Sequence, residues 1–148
     1  MYKNISLSFL VFLLGIFLLG SSFQKNKHQN PWTATQVIQP EELAQELSTD
    51  STAKILILNI GPVDDIQNAV NIGAVEEKSN LKKLKKFLKT QPKDKEIVFY
   101  CGCCAMKTCP NIKPAYAVLD KMGFTNFRIL NIEENLKVDW INKGYPMK

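Results

Sequence analysis

The sequence predicts a single α/β domain of three layers, in which a mostly parallel central sheet is flanked by helices. Two apolar runs of strand length, at 54–60 and 96–100, lack the polar alternation of a half-exposed strand. They read as strands buried on both faces by covering helices. A third strand, Phe127-Arg128-Ile129-Leu130, follows a segment of helical periodicity, and strands that alternate with helices imply parallel neighbours joined by crossovers. No internal repeat is present.

The N-terminus is set apart from this domain. Lys3 precedes an apolar run at 9–19, broken only by Gly15 and followed by the small residues Gly20, Ser21 and Ser22. An apolar stretch of about 7–15 residues suits a secretory signal, whereas a membrane-spanning helix needs roughly 20. Residues 1–22 are therefore expected to direct export, to a periplasmic or secreted location, with retention as a membrane tether through residues 5–20 as the alternative. The polar stretch 23–35 reads as a tether, leaving 36–148 as the folded domain. Membrane contact is expected only through the N-terminal segment. The one histidine, His28, lies in the tether, so the folded part has none with which to build a Cys-His dyad, a Ser-His-Asp triad or a histidine metal site.

Pro40 opens a short amphipathic helix with Glu41 and Glu42 in its first turn, where a helix dipole favours negative charge. Gly61-Pro62 stops the first core strand, and 62–70 is expected to form a short helix, followed by a short strand or turn at 71–75. Leu81, Leu84, Phe87 and Leu88 form a helical stripe among Lys82, Lys83, Lys85, Lys86 and Lys89. Those lysines supply much of the net charge of +5 and read first as a solvated helix face, second as a docking patch for an acidic partner. No aromatic residues interleave them, and nucleic acid is not an expected partner. A helix from Pro114 to a C-cap at Gly123 follows, and a closing helix is expected over 133–143.

In open α/β sheets ligands bind beyond the carboxyl ends of the strands. The second core strand runs directly into Cys101-Gly102-Cys103-Cys104-Ala105-Met106-Lys107-Thr108-Cys109, which holds all four cysteines of the chain. Amides of a curled loop and of a helix N-terminus favour an anion. With Lys107 and Lys113 nearby, they are expected to lower the Cys101 pKa and supply a thiolate. Gly102, Cys103, Cys104, Ala105, Met106, Lys107 and Lys113 are the candidate anion-binding residues around it. Cys103, Cys104 and Cys109 have open roles: a resolving thiol, a disulfide bracing the loop, or ligands for a soft ion such as Cu(I) or Zn(II). Cys103 and Cys104 are better spaced to pair with Cys109 than with each other. No cofactor and no metal are assigned. The spacing from Cys101 to Lys107 also matches a cysteine phosphatase loop, but lysine lacks the bidentate grip of arginine on phosphate.

From about Val37 to Pro146 the chain resembles the rhodanese-like domain family. The resemblance is carried by Ile38-Gln39-Pro40-Glu41-Glu42-Leu43, Ile57-Leu58-Asn59-Ile60, Asn71-Ile72-Gly73-Ala74-Val75 and Val98-Phe99-Tyr100-Cys101. It continues through Met122-Gly123-Phe124, Leu130-Asn131-Ile132-Glu133 and Trp140 with Gly144-Tyr145-Pro146. It implies the fold expected above and a sulfurtransferase in which Cys101 carries sulfane sulfur as a persulfide. A small sulfur-containing anion would be the donor, a thiol or cyanide-like nucleophile the acceptor, and a redox protein a partner for the loop thiols. The alternatives are a non-catalytic soft-metal or thiol redox module and a silent protein-binding domain. The chain departs from the family at Asn59 and Gly61, where an acidic residue and an arginine are usual, and at Val70-Asn71-Ile72-Gly73, which replaces His-Ile-Pro-Gly. Its active-site loop is longer and lacks the usual arginine, for which only Lys107 or Lys113 stands in.

Overall fold

The computed structural model describes residues 30–49 and 54–148. The expected signal segment and most of the expected tether lie outside the described residues. Among these residues no helix is long and apolar enough to cross a membrane.

Five parallel strands form one sheet in the order β1-β5-β4-β2-β3, with β1 at Val37–Ile38, β2 at Leu56–Asn59, β3 at Ala69–Asn71, β4 at Ile97–Tyr100 and β5 at Phe127–Leu130. The helices are α1 (Pro40–Ser48), α2 (Lys78–Leu88), α3 (Ile112–Lys121) and the single turn α4 (Leu136–Asp139), with short 3₁₀ turns at Ala34–Gln36 and Ile141–Lys143.

The sheet separates two apolar cores. Leu43, Ala44 and Leu47 of α1 pack with Ile57, Val98, Tyr100, Leu130, Leu136 and Trp140 on one face. On the other, Leu84 and Leu88 of α2 and Ala115, Val118 and Leu119 of α3 pack with Leu58, Ile97, Phe99 and Ile129. Because side chains alternate along a strand, β4 sends Val98 and Tyr100 to the first core and Ile97 and Phe99 to the second. The residue that follows, Cys101, keeps this alternation and joins the second core. Strand periodicity thus decides which pair of helices the first loop thiol faces.

Two expected elements are corrected. Residues 62–70 form no helix but an irregular loop running into β3. Buried Asn59 holds that loop, with its Nδ2 donating to the Val63 carbonyl at 2.7 Å and to Asp65 Oδ1 at 2.9 Å, while its Oδ1 accepts from Gly61 N at 3.0 Å. These tertiary bonds replace the i→i−4 bonds a helix would need. The closing helix is also broken, into α4 and the turn at 141–143, because buried Trp140 leaves helical geometry (φ −131°, ψ −62°). There Trp140 directs its indole N–H to the Pro146 carbonyl at 3.1 Å and meets Tyr145 edge to face. Structure also begins before residue 36: Trp32, assigned to the tether by the sequence reading, lies 6.0 Å from the ring of Tyr116 on α3.

Candidate active site at the four-cysteine loop

The loop from Cys101 to Asn111 joins β4 to α3 and brings its thiols back onto one another. Cys101 and Cys109 are buried, Cys104 is half-buried and Cys103 is exposed. Cys101 Sγ lies 3.2 Å from Cys103 Sγ, and Cys103 Sγ lies 3.4 Å from Cys104 Sγ. The sulfurs of Cys101, Cys103 and Cys109 all lie within 4.8 Å of one another. None of the four is disulfide-bonded. Cys103 lies nearest Cys101 and is also within 4.8 Å of Cys109.

Local structure explains this convergence. Gly102 takes a positive φ of 75° and its carbonyl accepts from Leu136 N at 2.8 Å, turning the chain sharply after Cys101. Met106 N then bonds to the Ile132 carbonyl at 2.7 Å, and consecutive bonds from Thr108 N to Ala105 O, Cys109 N to Met106 O and Ile112 N to Cys109 O wind the loop into the start of α3. Met106 is buried in the core beside the thiols.

Asn111, absent from the sequence reading of the site, organises the sulfurs. Its Oδ1 accepts from Glu76 N at 2.9 Å, which fixes the amide so that Nδ2 donates to Cys101 Sγ at 3.2 Å and faces Cys109 Sγ at 3.9 Å. The only sequence signal for it is an asparagine just before a helix, a position normally read as a cap; here the side chain makes no capping bond to its own helix. Gly61 is the second omission. It stands opposite Cys101 at the end of β2, where a Cβ would come within 2.2 Å of the Cys101 carbonyl oxygen and 2.7 Å of its sulfur. The chain's departure from the family pattern at Asn59 and Gly61 therefore has a local consequence: Asn59 bonds Gly61, and Gly61 lets Cys101 approach.

The charge distribution differs from expectation. Cys109 is the acidic thiol, lowered to about 5 chiefly by its interaction with the Cys101 thiol and further by N–H donation from Asn111. Cys101 is raised, first by holding its proton toward Cys109 and then by burial. Burial and Cys103 push Cys104 up to about 12. The dominant influences are neighbouring thiols, burial and N–H donors, not Lys107 and Lys113. Both lysines are exposed, and neither is hydrogen-bonded or ion-paired to a described residue. Lys107 lines a separate cleft with Trp32, Met106 and Asn131. The lysine that lines the cleft of about 540 Å³ beside Gly102 and Cys103 is Lys137 of α4, together with Val63, Asp64 and Asn135. No sequence proximity points to it.

Comparison with known proteins agrees with this architecture. No relative was found among curated proteins. Among solved structures the chain is similar to a single-domain sulfurtransferase of Saccharomyces cerevisiae, at 18% identity and a TM-score of 0.53, over 76% of this chain and 95% of that one. It is also similar to an As-Sb reductase from Leishmania major, at 21% identity and a TM-score of 0.52, over 73% of this chain and 78% of that one. At these identities the likeness concerns the fold. The family model described as the rhodanese-like domain matches residues 39–132, most of the described domain and the whole cysteine loop, and on that match the chain belongs to the rhodanese-like family.

Proposed function

We propose that this protein is a sulfurtransferase that carries sulfane sulfur as a persulfide on Cys101. The observation that carries the reading is the setting of Cys101: at the carboxyl end of the central strand, with its sulfur 3.2 Å from the Asn111 amide and 3.2 Å from the exposed Cys103. In the resting site the negative charge rests on Cys109. The Cys101–Cys109 pair shares one proton, and as the Cys101 electron pair is taken up by the outer sulfur of a donor anion, the Cys101 thiol becomes acidic enough for that proton to move onto Cys109. The donor's S–S bond breaks and its remainder leaves as an anion. An external thiolate or cyanide then takes the outer sulfur and returns Cys101 to its starting state. Alternatively, Cys103 attacks the inner sulfur, which releases hydrosulfide and leaves a Cys101–Cys103 disulfide for a redox protein to reduce. Lys137, lining the cleft beside Cys103, attracts the donor anion.

A second reading is thiol-dependent reduction of an oxidised substrate, favoured by the same 3.2 Å Cys101–Cys103 approach. The two electrons would leave as that disulfide. Export across a membrane, directed by the apolar run at 9–19, belongs to the same proposal. The test is thiocyanate formation from thiosulfate and cyanide by the purified protein and by Cys101→Ser and Cys103→Ser. Sulfur transfer predicts turnover that Cys101→Ser abolishes and Cys103→Ser retains. Equal rates in wild type and Cys101→Ser refute it, and a protein that forms no thiocyanate but reduces an oxidised substrate only when both Cys101 and Cys103 are present favours the reductase.

A further inference from the structure

We propose that Cys101, Cys103 and Cys109 form a three-coordinate thiolate site for a soft monovalent cation, Cu(I). This goes beyond the sulfur-transfer reading and does not rest on it, since it needs only the arrangement of the sulfurs.

The three sulfurs come from both ends of the loop and lie within 4.8 Å of one another. With thiolate bonds of about 2.3 Å, a planar three-coordinate ion requires sulfur–sulfur edges of about 4 Å. The Cys101–Cys103 edge is 3.2 Å and must open by under 1 Å, on geometry of that scale. Cys103 is exposed, so its side chain has room to rotate and open that edge, while buried Cys101 and Cys109 stay in place. A cysteine triangle on a loop anchored at β4, at α3 and by Met106 N to Ile132 O is largely preformed.

The donor set selects the ion. Thiolates favour soft ions, and a structural zinc site is almost always closed by four ligands. Among the described residues no histidine, carboxylate or further cysteine completes this triangle. Cys104 approaches Cys103 at 3.4 Å and interacts with Cys109, but its sulfur is not within 4.8 Å of all three others and so stands outside the triangle. The Asn111 amide is not a ligand, because its oxygen is engaged by Glu76 N and its nitrogen acts as a donor. That donor suits the site in another way. Three thiolates around a monovalent ion retain negative charge, which the N–H donation from Asn111 Nδ2 offsets and to which solvent at Cys103 contributes. The clustering of the thiols in sequence points to soft ligands drawn from all four cysteines or from Cys103, Cys104 and Cys109; the fold brings Cys101, Cys103 and Cys109 into one triangle. Binding replaces the thiol protons, which leave to solvent, and no electron moves.

The test is an anaerobic titration of the reduced, full-length protein in competition with bicinchoninate for Cu(I), followed by copper X-ray absorption. One Cu(I) per chain with a first shell of three sulfurs is the expected result. Cys101→Ser, Cys103→Ser and Cys109→Ser should each weaken binding by at least about tenfold, while Cys104→Ser leaves it unchanged. Exposed Cys103 makes Cys103→Ser the variant least able to disturb folding. An intact bicinchoninate complex, a shell containing nitrogen or oxygen, or an equal loss on Cys104→Ser overturns the proposal. A chain that binds Cu(I) yet makes no thiocyanate refutes only the sulfurtransferase reading. One that makes thiocyanate yet leaves the chelator loaded refutes only the copper site.

Discussion

Gly61→Ala adds one methyl group where the sheet meets the thiol loop. Its Cβ would stand 2.2 Å from the Cys101 carbonyl oxygen, 2.8 Å from its carbonyl carbon and 2.7 Å from its sulfur. Two of these atoms are backbone, and the chain there is already held one residue earlier by the bond from Ile60 N to the Tyr100 carbonyl at 2.8 Å. No flexible side chain is available to yield, so the strand ends must part. Overpacking of this kind costs about 1–3 kcal/mol. Removing a glycine from the unfolded chain returns only about 0.4–1 kcal/mol. A net loss of about 1.3 kcal/mol, at about 4 °C per kcal/mol for a domain of this size, lowers Tm by roughly 5 °C. The same displacement moves the Cys101 sulfur away from Asn111, and a misplacement of about 1 Å at a reacting group costs on the order of 100-fold in rate. The assay is calorimetric melting of the reduced protein together with the rate of thiocyanate formation. A variant that melts within a degree of wild type and keeps its rate would refute the close approach of Gly61 to Cys101.

The remaining predictions follow from the same geometry. Asn111→Ala removes the donor to Cys101 and leaves Glu76 N without its partner, which should cost about 1–3 kcal/mol in urea unfolding and raise the pKa of Cys109, read from the pH dependence of its alkylation. The coupled thiols make stability depend on pH. Cys109 is lowered to about 5 from an ordinary 9.0 while Cys101 is raised. Between about 5 and 9 the folded pair therefore holds fewer protons than the unfolded one, and the stability of the reduced protein rises with pH in that window. Above it the unfolded chain loses both protons while folded Cys101 keeps its own, so stability declines again. Cys109→Ser should flatten the rise. Lys137→Gln should raise the KM for thiosulfate several-fold at low ionic strength with kcat little changed, and about 1 M salt should erase the difference. Tyr100→Phe strands the buried Ile66 N–H, which now donates to the tyrosine oxygen at 2.9 Å; the expected cost is about 1–3 kcal/mol in Tm-based stability.

Much of the fold was legible because its central elements are local signals. β4 is a continuous apolar run, β2 is one up to Asn59, β5 is apolar but for Arg128, and α1 and α2 carry their own stripes and end signals. The illegible parts depend on partners distant in sequence. β1 contains two residues and exists because Val37 and Ile38 pair with Ile129 and Leu130 of β5. The loop before β3 looks helical in sequence because nothing local reveals that Asn59 reaches forward to Val63 and Asp65. Cysteine clustering exposed the site, and the strand that ends on Cys101 placed it at the sheet's carboxyl edge. The organisers were hidden. Asn111 is oriented by Glu76, 35 residues earlier in the chain. Lys137 reaches the cleft only because Leu136 N bonds to the Gly102 carbonyl and ties α4 to the cysteine loop.

Which sulfur of the loop carries the transferred atom is answered most directly by peptide mass spectrometry. The reduced protein is loaded with thiosulfate or a polysulfide, its persulfide is trapped by alkylation, and the peptides spanning the loop are fragmented. The account predicts one added sulfur, of roughly 32 Da, on Cys101, and its loss after cyanide treatment. An added sulfur on Cys103 or Cys109 with Cys101 unmodified, or no added sulfur on the loop, would contradict it.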